Sequence, residues 1–100
     1  MKVQIIREDV VKSNEARSKE NCALSENCPF TESLKRMTGK RVFAGVSTAT
    51  ICESEEERKN YIIPPKGCEF VKRYDRCVTV EERERFLWKF NPVEFELIPY

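Results

Sequence analysis

The amino-acid sequence predicts an α+β domain, a small antiparallel sheet carrying two or three helices. Short stretches at residues 2–7, 41–51, 59–63 and 93–98 are rich in β-branched and aromatic residues and alternate apolar with polar positions, the period of a strand with one buried face. Residues 28–39 and 66–77 instead space their apolar side chains at helical intervals and carry helix end signals. The segment 41–63 reads as a hairpin, which makes its pairing antiparallel. With 100 residues and 40% hydrophobic content, one domain over residues 1–100 and one core are expected.

In chain order, Val3, Ile5 and Ile6 suit a short first strand. Residues 9–27 are mostly polar with no sustained apolar period, so a long loop with at most one helical turn is expected there, a candidate binding segment on length alone. The helix at 28–39 is the clearest element. Pro29 fits the first helical position, Gly39 fits a left-handed stop, and Lys35 and Arg36 complement the negative end of the dipole. Phe30, Leu34 and Met37 make its buried stripe. Residues 41–51 read as the longest strand, with Val42, Ala44, Val46, Thr48 and Thr50 on one face and Phe43, Gly45, Ser47, Ala49 and Ile51 on the other. Gly45 marks a bulge or bend in it. The acidic run Glu53-Ser54-Glu55-Glu56-Glu57 caps a solvated tip, and Pro64-Pro65 ends the returning strand.

After Pro65, a second amphipathic helix places Phe70, Val71, Tyr74 and Cys77 on one face. Thr79-Val80-Glu81-Glu82 has the form of a capping box, opening a short third helix through Phe90 with Val80, Leu87 and Phe90 inward. Asn91-Pro92 stops it, and Val93, Phe95 and Leu97 face inward along a last strand. This order fits a split β-α-β, ferredoxin-like arrangement, and equally a curled antiparallel sheet with helices packed at one end.

Composition excludes several activities. The sequence has no histidine, the usual general base near neutral pH and the commonest metal ligand. A net charge of +1 gives no long-range field to gather nucleic acid or a membrane surface. No phosphate-cradling glycine pattern is present among three glycines. The five cysteines (Cys22, Cys28, Cys52, Cys68, Cys77) contain no close pair of the kind that holds zinc, so no metal and no cofactor are expected. A Cys22–Cys28 bridge is open on spacing, against the reducing character of a cytoplasm. The opening residues do not have the form of a signal peptide and no apolar run approaches a membrane span, so a cytoplasmic protein without membrane contact is expected.

Three groups of residues carry candidate function. Cys28 stands at a helix N-terminus, where exposed N–H groups favour a thiolate, though a packed hydrophobic cap is the plainer role. Lys35, Arg36, Lys40 and Arg41 at the end of one helix, with Lys66, Lys72, Arg73 and Arg76 on the next, could form a basic strip for nucleic acid, diluted by nearby carboxylates. Phe86, Trp88 and Phe90 are more aromatic surface than a short helix buries on one face. Arg85, Phe86 and Trp88 are therefore the expected protein-contact or homodimer surface, with Trp88 as a lid over an open sheet end the alternative.

Cys28-Pro29 before a helix containing Leu34-Lys35-Arg36 and Thr38-Gly39, then Tyr61-Ile62-Ile63-Pro64, Phe70-Val71-Lys72-Arg73-Tyr74-Asp75 and a closing Phe95-Glu96-Leu97, resembles a family of small proteins encoded by tailed phages and prophages. The resemblance runs from about residue 22 onward. Phe30-Thr31 departs from the apolar-Ala pair usual after Cys-Pro, and residues 78–89 are longer than the family's connection. It implies a viral or mobile-element origin and an accessory role, and no activity. The expectation is a non-enzymatic binding protein for a host or viral macromolecule. A nucleic-acid-binding regulator and a small-ligand binder are the alternatives.

Overall fold

The computed structural model describes residues 1–18 and 27–100. They form β1 (Lys2–Ile5), α1 (Arg7–Arg17), α2 (Pro29–Thr38), β2 (Arg41–Ala44), β3 (Thr48–Cys52), β4 (Arg58–Ile62), α3 (Pro65–Asp75), α4 (Val80–Trp88), β5 (Val93–Glu96) and β6 (Ile98–Pro99). Every strand pairing is antiparallel. β1 pairs β5 in a two-stranded sheet, and β2, β3, β4 and β6 lie in that order in a four-stranded one, so the class is α+β. The split β-α-β arrangement, which would place the first strand in one sheet with the hairpin strands, is not formed, because β1 pairs β5, with Val3 opposite Phe95, in a sheet separate from β2, β3, β4 and β6. Only buried Leu97 separates β5 from β6, so one extended segment serves both sheets. The Leu97 N–H donates to the Met1 carbonyl at 2.8 Å, carrying the β1–β5 ladder to that junction.

The expected loop after β1 is a helix over most of its described length. α1 hides from a hydrophobicity reading because its buried side is largely polar: Asp9, Val10 and Ser13 are buried, and the Arg17 side chain is only 6% exposed. These polar residues are paired inside, with Arg17 Nε buried without a hydrogen-bond partner among the described residues. Asp9 accepts from the Ile6 N–H at 2.9 Å, capping the helix start, and from Arg36 of α2 at 3.1 and 3.2 Å. Tyr74 of α3 donates its hydroxyl hydrogen to Asn14 Oδ1 at 2.6 Å and accepts from Ser13 Oγ at 2.8 Å. The Arg17 guanidinium lies 4.6 Å from the Tyr74 ring centroid and donates to Asp75 at 3.0 Å.

The stretch expected as one long strand is two strands and a tight reversal. Ala44 pairs Ala49, and the Gly45 N–H donates to the Thr48 carbonyl at 2.9 Å. The turn flips the alternation: buried positions are Val42 and Ala44 before it and Ala49 and Ile51 after it. β3 and β4 then form the expected hairpin around the acidic tip, with Thr48 opposite Ile62 and Cys52 opposite Arg58.

The core gathers Val3 and Ile5 of β1, Phe30 and Leu34 of α2, Val42, Ala44, Ala49 and Ile51 of the hairpin strands, Phe70 and Val71 of α3, and Phe95 and Leu97. Met37, expected in the α2 stripe, is 42% exposed instead, one turn beyond the sheet's cover. Phe30 stacks on Phe95 with ring centroids 5.5 Å apart, which fixes α2 over the β1–β5 pair. Gly67 lets α3 close on the same ring. A Cβ there would stand 2.5 Å from Ile63 Cγ2 and 2.8 Å from Phe95 Cε2, inside contact distance. Gly39 ends α2 at φ 69°, the left-handed stop its sequence position implies.

Candidate functional site

α3, α4 and the start of β5 meet around an open groove of about 450 Å³. It is placed by the α3–α4 connection and by aromatic packing. The Thr79 hydroxyl accepts from the Glu82 N–H at 3.1 Å, and Glu82 Oε1 accepts from the Thr79 N–H at 3.3 Å and its hydroxyl at 3.0 Å, so the capping box read from the sequence is present. Phe86 meets Phe70 edge-on at 5.7 Å and Tyr74 at 5.1 Å, while Phe90 meets Phe70 at 6.1 Å. These rings moor α4 to α3. Polar contacts add to them: Asn14 Nδ2 donates to the Arg83 carbonyl at 3.2 Å, and Arg83 itself donates to the Val78 carbonyl at 2.9 Å.

The groove has an apolar floor and a cationic rim. Phe70, Phe86, Phe90, Pro92 and Val93 line it, and Arg73, Arg85 and Lys89 stand around it. None of those three cations forms an ion pair among the described residues. Its acid, Glu82, is occupied by its own helix start. Cys77 and Asn91 complete the lining; burial pushes the Cys77 thiol above the ordinary 9.0, with Glu82 adding to the shift.

Of the residues expected at a protein contact, Arg85 and Phe86 line the groove, whereas Trp88, on the same helix, has 80% of its surface exposed. Trp88 is not a lid on the sheet. No residue of α4 is fully buried, and Val80, expected inward, is 51% exposed. The basic residues have separate fates. Lys35 pairs Glu32 at 3.2 Å, Arg36 pairs buried Asp9, and Lys40 pairs Glu53, whose carboxyl that contact and the nearby Lys59 hold below its usual range. The Arg41 guanidinium lies 4.8 Å from the Phe43 ring centroid. Lys66, Lys72 and Arg76 are exposed on or just past α3, and Arg73 belongs to the groove.

Cys28 sits where its sequence position indicated, as the N-cap of α2, accepting from the Thr31 N–H at 3.3 Å. Burial wins over that helix-end stabilisation. The thiol is 3% exposed and desolvation raises its pKa, with the Thr31 contacts opposing, so it is held neutral as a packed cap. Cys28, Cys52, Cys68 and Cys77 are free thiols; the partner in the Cys22–Cys28 pairing, Cys22, lies outside the described residues. Among the described residues no cluster of three or more His, Cys, Asp or Glu is placed to hold a metal ion, and no helix is long and apolar enough to cross a membrane.

The sequence reading missed Glu82, Lys89, Phe90, Pro92 and Val93 as groove residues. Their signal was present: Glu82, Arg85, Phe86, Lys89 and Phe90 stand at i, i+3, i+4, i+7 and i+8, one helix face. Mixed charge and aromatic character kept it from reading as an apolar stripe. No family model, curated protein or solved structure matches the chain.

Proposed function

We propose that this chain is a non-enzymatic binding protein, of viral or mobile-element origin and working in the cytoplasm, that presents α4 and the groove beside it to a host or viral protein. The observation that carries the reading is an 80% exposed Trp88 on the same helix that helps line a groove floored by phenylalanine rings. Aromatic and arginine side chains are the usual anchors of protein interfaces, and Trp88, Arg85 and Phe86 stand together on one short helix. A binding role in place of catalysis is supported by the lack of histidine and by the burial of the best-positioned thiol, Cys28.

The test is affinity capture from lysate of the cells that carry the gene, with Trp88→Ala and Tyr100→Ala variants side by side. A specific band lost with Trp88→Ala and kept with Tyr100→Ala, a residue 83% exposed beside β4 and outside the groove, supports the reading. A band indifferent to Trp88→Ala removes it. A small-ligand role is favoured by one observation, the groove volume, which falls in the range of ligand pockets. A retained small molecule in native mass spectrometry would establish that alternative.

A further inference from the structure

We infer that the groove takes an acidic segment of a partner protein, one that inserts a bulky apolar side chain between flanking carboxylates; this rests on the binding reading above and names the partner's chemistry. The floor of Phe70, Phe86 and Phe90 offers apolar contact and no hydrogen-bonding side chain, so what enters it is an apolar or aromatic group. The rim supplies Arg73, Arg85 and Lys89, each without an ion pair among the described residues. Glu82, the one carboxylate at the rim, is directed to the Thr79 cap. Three cations against one carboxylate leave the groove's lining net positive around an apolar floor, and its complement is an apolar anchor with negative neighbours.

Two features favour a polypeptide over a free carboxylate. The groove is open, and the segment that lines it also exposes apolar side chains: Val78 is 75% exposed, Val80 51% and Trp88 80%. An open groove suits a segment that passes through it, and Trp88 on the same helix is free to contact such a segment, whereas a small anion needs neither. Arginines at the rim also suit carboxylates, since a guanidinium binds them through two parallel hydrogen bonds.

The experiment is a titration of the ¹⁵N-labelled full chain with synthetic peptides, followed by amide shifts. The first peptide carries a central Trp-Leu pair flanked by Asp and Glu, the second has the acids replaced by Asn and Gln, and the third has the anchors replaced by Ala. The acidic peptide is expected to move the amides of Phe70, Arg85, Phe86, Lys89 and Phe90. Its affinity should fall about tenfold on neutralising the acids, and by a similar factor in the double variant R85E/K89E, whose positions are exposed. Circular dichroism of that variant checks that it folds. Equal binding of the neutral peptide overturns the acidic specification while leaving the groove a protein-binding site. Shifts absent with every peptide, or confined to other faces, overturn the inference, and the Trp88→Ala capture then decides the wider reading independently. Tighter occupation of the same amides by a single-stranded oligonucleotide or by phenylpropionate also overturns it.

Discussion

The α2 side of the molecule and the α4 end are built from similar materials to opposite effect. α2 buries Pro29, Phe30, Thr31, Ser33 and Leu34 and stacks Phe30 flat on Phe95. α4 has a phenylalanine too, Phe86, but it buries none of its residues fully and meets its neighbours through ring edges. α2 is held by area removed from water, about 25 cal/mol for each Å². α4 is held by its own capping box, two or three aromatic edges and hydrogen bonds from α1. The contrast teaches that a helix can be locally well formed and globally underused. What α4 does not commit to the core stays at the surface, Trp88 above all.

Substitutions can break or sharpen that contrast. Phe30→Ala should be the most damaging, about 3–5 kcal/mol lost in urea unfolding, because a fully buried stacked ring leaves a cavity. Gly67→Ala should cost about 1–3 kcal/mol by forcing α3 off Phe95, seen as a lower thermal midpoint. Alkaline pH should act on Cys28 and Tyr74 in the interior, and also on Cys77 beside the α4 cap, whose thiol burial raises in the same direction. Burial raises the Cys28 thiol above 9.0 and the Tyr74 hydroxyl above 10.0, so the native state keeps protons that the unfolded chain gives up. Stability is thus whole below pH 9.0 and declines as pH climbs through those ordinary values toward the raised native ones. Thermal midpoints across this window test it, with a flat profile as the contrary result. Thr79→Ala should cost about 1 kcal/mol or less, by removing an exposed cap. Trp88→Ala should change stability by no more than about 0.5 kcal/mol, while abolishing capture of the partner. A large loss of stability there would mean that the indole is structural.

How much of this was legible in the sequence depended on what each buried face is made of. α2 was readable end to end, since Pro29, Gly39 and the Phe30–Leu34 spacing all report backbone geometry directly. α1 was not, because Asp9, Ser13 and Arg17 are buried through hydrogen bonds and ion pairs, whose partners Arg36, Tyr74 and Asp75 lie far along the chain. Periodicity of hydrophobicity cannot see a polar inside. The β2–β3 reversal left a mark that was open to reading: buried positions shift from even to odd numbers across Gly45. As for the groove, Arg85, Phe86 and Trp88 were singled out from local composition, but its floor needed Phe70 and Val93 brought from α3 and β5. Only tertiary structure joins them.

The pairing of β1 with β5 sets a limit on how this protein is made. Lys2 finds its place opposite Glu96, and the Met1 ammonium donates to the Leu97 carbonyl across 96 positions. While the ribosome is still adding the intervening residues, Val3 and Ile5 have no strand to lie against, and α2 has no Phe95 ring beneath Phe30. Such long-range closure slows folding. Until the segment after Pro92 emerges, the β1–β5 ladder and the Phe30–Phe95 stack are out of reach, and a truncation upstream of it leaves the edge of β1 bare to other chains.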